Sequence, residues 1–186
     1  MDLDRTEADR FGPGPDLSSG EIPWAAAASW NECRQSLQKA ITASGAELAG
    51  AVAMARRIAH RYDLAGDLFD ELAPTTCAVC RRPCCLDARV WLDFKDLLLI
   101  HLGGQPRPPH QLRRTRGEPC RYLTHHGCTL PRRTRPWVCT WYICPDQRRL
   151  LVRDIPGGRE RLAKWWAEIA VLRDRMEDAF IAATRR

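Results

Sequence analysis

Between Cys77 and Cys144 the chain places eight of its nine cysteines. The run opens as Cys77-Ala78-Val79-Cys80-Arg81-Arg82-Pro83-Cys84-Cys85 and continues through Cys120, Cys128, Cys139 and Cys144. An isolated free cysteine usually behaves as a small buried hydrophobe. A cluster of this density, threaded through Pro and Gly turns, reads instead as thiolate ligands gathered around metal. Cys77 and Cys80 form a knuckle, because two intervening residues let a tight turn aim both sulfurs at one ion. Cys84 and Cys85 are adjacent, and neighbouring side chains of an extended segment point to opposite sides. They therefore feed different centres, or one of them is a spare thiol. Cys120, Cys128, Cys139 and Cys144 arrive from separate turns, with Gly127, Pro131 and Pro136 setting the bends.

Disulfides are the competing use of so many thiols. The first ten residues are acidic and polar with no apolar stretch of an export signal, so nothing marks an oxidising destination. Nine is odd and leaves one thiol over in any complete pairing. A chain of 186 residues with 45% apolar content can also bury a core without covalent staples. The expected compartment is the cytoplasm, with no membrane segment: Leu97-Leu98-Leu99-Ile100, the longest apolar run, is far too short to span a bilayer.

Eight thiolates would fill two four-ligand sites, or one 4Fe–4S cluster and a smaller site. Sulfur-only ligation favours an iron–sulfur cluster or zinc and argues against magnesium or calcium. The metal-ligand set expected from sequence is Cys77, Cys80, Cys84, Cys85, Cys120, Cys128, Cys139 and Cys144. Cys33 falls beside a helical apolar stripe and is expected to be a core thiol. His125 and His126 lie between two cysteines and could complete a mixed site or donate hydrogen bonds to sulfur. His60, next to the N-terminal stripe, reads as structural.

Cys77-x2-Cys80-x3-Cys84-Cys85 resembles the signature of the YkgJ-type cysteine-cluster family, a zinc- or iron-chelating domain of bacteria and archaea. Pro119-Cys120-Arg121-Tyr122-Leu123, Gly127-Cys128-Thr129-Leu130 and Arg135-Pro136-Trp137-Val138-Cys139 are similar to that family's later blocks, in the same order. The resemblance covers roughly residues 77–145. It implies iron–sulfur or zinc binding, and the same domain occurs in flagellin lysine N-methylases. Arg82-Pro83 departs from the Gly that often precedes the cysteine pair, and Cys144 extends beyond the commonest pattern.

The elements that must hold these cysteines are helical. Residues 1–23, rich in Gly, Pro and Ser, read as a disordered tail. Ser29 followed by Glu32 is a capping-box pair that would start a helix. Trp30, Leu37, Ile41, Leu48, Val52, Ala55, Ile58 and Tyr62 then recur at helical spacing, with Gly45 and Gly50 as weak points. A shorter helix, Leu64 to Leu72, leads to the first cysteines. Arg89 to Leu92 reads as a brief strand, and Asp93 caps a helix running to Gly103-Gly104. Residues 105–119 read as a loop, Trp137 to Ile143 as a turn, and Leu150-Leu151-Val152 as a short strand. After Pro156-Gly157-Gly158 a last helix carries Leu162, Trp165, Ile169, Leu172, Met176, Phe180 and Ala183 on one face. The fold class expected is therefore mainly α: long N- and C-terminal amphipathic helices packing on an irregular, cysteine-rich metal-binding core. The divisions are a disordered tail at 1–23, a helical segment at 24–74, the cysteine core at 75–148, and a C-terminal helix at 149–186 that is expected to pack on the N-terminal helix.

Charge follows the same division. Residues 1–74 carry a net −5, residues 75–150 a net +9 and residues 151–186 a net +2. Arginines interleaved with the ligands, such as Arg81, Arg121 and Arg135, would offset thiolate charge. The runs at Arg113-Arg114 and Arg132-Arg133 could alternatively face nucleic acid. Three function classes follow. The first is a metal-binding protein with a structural or redox cluster and a protein or redox partner. The second, implied only by the family resemblance, is an S-adenosylmethionine-dependent protein lysine N-methyltransferase, though no Gly-rich nucleotide turn follows a strand. The third is a zinc-dependent nucleic-acid-binding module. The first is the reading the residues favour.

Overall fold

The computed structural model of the protein describes residues 22–81, 83–87, 90–115, 118–125 and 127–185. The expected ligand Cys85 contributes only its backbone to that description. His126, Arg89 and the tail up to residue 21 lie outside it. The chain is mainly helical: α1 (Ala27–Ser44), α2 (Ala49–Leu72), the one-turn α3 (Cys84–Asp87), α4 (Phe94–Leu102), α5 (Trp137–Trp141), α6 (Pro145–Asp154) and α7 (Gly158–Thr184). A two-stranded antiparallel hairpin, β1 (Leu123–Thr124) and β2 (Gly127–Cys128), pairs Leu123 with Cys128.

Two long helices, α2 and α7, pack most extensively against each other, and α4 lies against both. Their shared core holds Ala55, Ile58 and Tyr62 of α2 with Leu162, Ile169, Leu172, Met176 and Phe180 of α7. These are the residues whose periodicity marks the two stripes, with one exchange: Trp166 is buried, whereas Trp165 is only partly covered. From Asp96 to Leu102 every residue of α4 is buried. A helix apolar all round belongs in an interior, and each fully buried Leu or Ile contributes about 1.5–3 kcal/mol relative to exposure.

Several local expectations are corrected. The first helix starts at Ala27, and the Ser29 hydroxyl donates to the Ala26 carbonyl instead of capping. The helix does not run unbroken to Tyr62. Gly45, at φ 45°, adopts a left-handed conformation that other residues avoid, ends α1 and admits a 3-10 turn over Gly45–Leu48. Beyond that break, α2 continues through Leu64 to Leu72 as one element. Ile22 is buried and the Pro23 carbonyl accepts from Gln111, so ordered structure begins before the expected end of the tail.

The strand expected near 89–92 has no ladder partner among the described residues. A side chain takes that place. Gln111, 1% exposed, accepts from Leu92 N at 2.8 Å and donates to Leu92 O at 3.0 Å. One amide thus satisfies both backbone groups of Leu92 as a neighbouring strand would. The Asp93 cap is confirmed as a complete capping box: its carboxylate accepts from Asp96 N, and the Asp96 carboxylate accepts from Asp93 N. Leu150-Leu151-Val152 is helix, not strand. Cys144 and Pro145 open α6 with Asp146 in its first turn, and Arg153 complements its C-terminus.

Candidate metal centre

The cysteines sit on short devices hung from the helical frame. Cys77 begins a 3-10 turn, Cys77–Val79, whose end bonds Cys80 N to Cys77 O at 3.3 Å. Cys84 lies in α3, Cys139 in the single-turn α5, and Cys144 is the N-cap of α6. Cys120 and Cys128 bracket the hairpin, since Leu123 N donates to Cys120 O at 3.1 Å while Leu123 faces Cys128 across the ladder. Among the described residues no element of this region other than α4 exceeds five residues before α6 begins.

Frame and site are joined through a buried ion network. Arg173 of α7 is 3% exposed and Asp96 of α4 is 2% exposed. The Arg173 guanidinium donates to Asp96 Oδ1 at 2.6 Å and to Asp93 Oδ2 at 2.8 Å. The same Asp96 oxygen accepts from Trp137 N at 3.0 Å, which anchors the start of α5 two residues before Cys139. Trp137 stacks on Tyr62 with ring centroids 6.3 Å apart and lies 6.0 Å from the Arg173 guanidinium. Burial pushes the Asp96 carboxyl up, to about 7, against the opposing pull of Arg173. None of Asp96, Arg173 or Gln111 was singled out from sequence. Asp96 borders the apolar run of α4, whereas Arg173 and Gln111 sit among polar and charged neighbours in the chain, and only burial reveals their partners.

The thiols lie in one another's electrostatic field. Burial pushes the Cys77 thiol up; the Thr76 hydroxyl pulls it back, and Cys144, Cys84 and Cys80 add to the rise. Cys77, Cys80, Cys84 and Cys139 are exposed as residues; the Cys139 sulfur is nonetheless raised, first by desolvation from the atoms packed around it and then by Cys120, Cys128, Asp96 and Cys84. Cys120 is raised chiefly by burial, with Cys128 contributing and Arg113 opposing. Chain segments 70 residues apart are thus brought together. Gln147 makes this explicit: its Nε2 donates to Cys77 Sγ at 3.3 Å, and its backbone N donates to Cys144 Sγ at 3.4 Å. Even so, no group of three or more His, Cys, Asp or Glu among the described residues is drawn closely enough together to hold an ion.

Cys33 stands apart, half-buried on α1 against the core, its thiol raised by burial alone. His125 is exposed, and so is His60. The arginines are distributed differently from expectation. Among the described residues, Thr76 and Gln147 donate to the sulfurs of Cys77 and Cys144. Arg135 Nε donates to Leu130 O at 3.1 Å, and Arg121 lines an open cavity beside Ala25–Ala27. Arg113, expected at a surface, is 1% exposed and donates to the Glu118 carbonyl. Arg132 pairs with Asp70, and Arg133 donates to Asp63 at 2.8 Å, so this basic run docks onto the acidic face of α2.

Gln147 is the site residue that sequence reasoning missed. Its signal was present: Cys144 followed three residues later by Gln147 has capping-box spacing at a helix start. No family model matches the chain, and no curated protein or solved structure is detectably similar to it. Among the described residues no helix is long and apolar enough to cross a membrane.

Proposed function

We propose that this chain is a metal-binding protein of the YkgJ-like cysteine-cluster kind. It holds an iron–sulfur cluster or zinc through Cys77, Cys80, Cys84, Cys85, Cys120, Cys128, Cys139 and Cys144, in a structural or redox role. The observation that carries this reading is the convergence of Cys77 and Cys144 on Gln147, which directs one N–H at each sulfur. Hydrogen bonds of this kind spread thiolate charge in metal sites. An all-sulfur donor set fits iron–sulfur or zinc and no hard cation. Metal binding would release the thiol protons and couple binding free energy to folding free energy.

This reading requires reduced thiols and so places the protein in the cytoplasm. A nucleic-acid role loses support because Arg132 and Arg133 are engaged by Asp70 and Asp63 and Arg113 is buried. The decisive measurement is the absorption spectrum, metal content and acid-labile sulfide of protein purified without oxygen. A brown protein containing iron and sulfide selects the cluster; a colourless one containing zinc selects zinc. A folded protein with neither metal, and with all thiols open to alkylation, would sink the proposal.

A further inference from the structure

We propose that the cavity at the start of α1 binds a small organic phosphate, whose phosphoryl oxygens are held by Arg114, Arg121 and the first amides of α1. This site is independent of metal binding.

The cavity measures about 740 Å³ and is lined by Ala25, Ala26, Ala27, His110, Arg114 and Arg121. Small-molecule pockets commonly fall at about 300–1,000 Å³. The lining carries two guanidinium groups and no carboxylate. Arg132 and Arg133 are neutralised by Asp70 and Asp63, whereas neither Arg114 nor Arg121 has a carboxylate on its guanidinium among the described residues. Glu118, the acidic residue nearest in the chain, instead accepts from Arg114 N at 3.3 Å. The remaining wall is the start of an 18-residue helix that no side chain caps. Ser29 turns its hydroxyl to Ala26 O, and the first helical bond runs from Trp30 N to Ala26 O at 2.9 Å. The amides of Ala27, Ala28 and Ser29 precede that bond and stand at the positive end of the helix dipole. Such amides pair readily with phosphate.

The walls are fixed to each other by hydrogen bonds. Gln111 Nε2 donates to Pro23 O at 3.1 Å, which ties the entry of α1 to the loop carrying His110 and Arg114. Tyr122 Oη donates to His110 O at 2.8 Å and accepts from His110 N at 3.2 Å. Arg121 N donates to Leu112 O at 2.9 Å. Binding therefore demands little reordering of the backbone.

Donor chemistry selects the ligand. Guanidinium forks pair with carboxylate or phosphate. Donors arriving from three places match the three terminal oxygens of a phosphate monoester better than the two of a carboxylate. A bare phosphate would leave most of the cavity unfilled, and the alanines of the lining offer apolar surface to an organic body.

The test is calorimetric titration of the full chain at about 0.15 M salt with phenyl phosphate, inorganic phosphate and benzoate. Phenyl phosphate should bind once per chain, and about 10-fold more tightly than either other probe. R114Q and R121Q should each weaken it about 10-fold or more. R56Q, on α2 and outside the lining, should leave it unchanged. In A26D a carboxylate at the N-cap takes the amides that the ligand would use. Binding should then be lost while the melting temperature holds or rises, so the loss cannot reflect unfolding. Binding that survives in A26D, or that R56Q weakens as much as R121Q, would mark a diffuse basic surface and overturn the pocket. Benzoate bound as tightly as phenyl phosphate, or no saturable binding of any probe, would overturn it equally.

Discussion

Arg173 is the residue on which frame and site both depend. Its guanidinium neutralises Asp96 in the interior, and Asp96 in turn holds the helix that carries Cys139. Replacing one partner of a buried ion pair leaves the other charge without compensation, a loss of about 3–5 kcal/mol. R173M should show that loss in denaturant unfolding, and R173K should recover little, because ammonium cannot span Asp93 and Asp96 as the planar fork does. A change below about 1 kcal/mol would mean that the pair behaves like a surface salt bridge. His101 offers a test of another kind. It is 7% exposed, and neither ring nitrogen has a hydrogen-bond partner among the described residues. Burial, assisted by Arg107 and Arg34, lowers its pKa to about 4 from an unfolded 6.5. The folded value is depressed, so its neutral form favours folding above pH 6.5, and this contribution is lost as pH falls from 6.5 towards 4. The span corresponds to about 3 kcal/mol. H101L should flatten the stability profile across that window in urea titrations. An identical slope in wild type and variant would exclude His101 as its source.

At the scale of elements, the basic turn at Arg132–Thr134 is docked on α2 by a gap in that helix. Gly66 is buried in α2, and a Cβ built there would lie 2.2 Å from Arg132 Cδ and 2.5 Å from Arg132 Nε. The Arg132 guanidinium also lies 5.9 Å from the centre of the Phe69 ring and pairs with Asp70. In an exposed helix, Gly to Ala stabilises by about 1 kcal/mol. Here the new methyl collides with the middle of a seated side chain, so G66A should destabilise. In an R132A background the same substitution should stabilise, giving a coupling of about 1–2 kcal/mol in a double-mutant cycle. Additive effects would show that Arg132 moves aside without loss. The joint between α6 and α7 follows the same logic: Gly157 is left-handed at φ 66°, and a Cβ at Gly158 would meet Leu151 Cδ1 at 2.8 Å and Ile155 Cγ2 at 2.9 Å.

For the molecule as a whole, the apolar core belongs mainly to α2, α4 and α7, and the cysteine-bearing segments on either side of α4 add only Val90, Leu92, Leu112, Cys120 and Leu130. Structure with few core contacts must draw its order from elsewhere, and thiolate–metal bonds can supply it. Chelation should therefore open the cysteine-bearing segments before and after α4 to protease, while α4 and most of the helical circular dichroism survive. The exposed arginines Arg107, Arg114 and Arg133 give trypsin its sites. Protease resistance unchanged by chelation, in protein shown to have lost its metal, would refute the dependence.

The periodic stripes, the Asp93 cap and the cysteine spacing were legible from the chain alone, because helical repetition and ligand turns are local patterns. Trp30, Ile58 and Tyr62 on one stripe and Ile169, Met176 and Phe180 on the other do lie in one core. Local pattern failed where several local states compete and a distant contact chooses between them. The apolar triplet Leu150–Val152 suits a strand, yet Leu151 packs into the turn at Gly158 and the segment stays helical. The extended backbone near Leu92 needed a partner, and the Gln111 side chain supplied it. The charge excess of the cysteine region was visible as composition, but not its assignment. Tertiary structure sends Arg132 and Arg133 to the carboxylates of α2, buries Arg113, and sets Gln147 rather than arginine against the sulfurs of Cys77 and Cys144. Residue types determined which chemistry was available. Which donor faces which acceptor was decided only when folding brought positions 70 residues apart within hydrogen-bond reach.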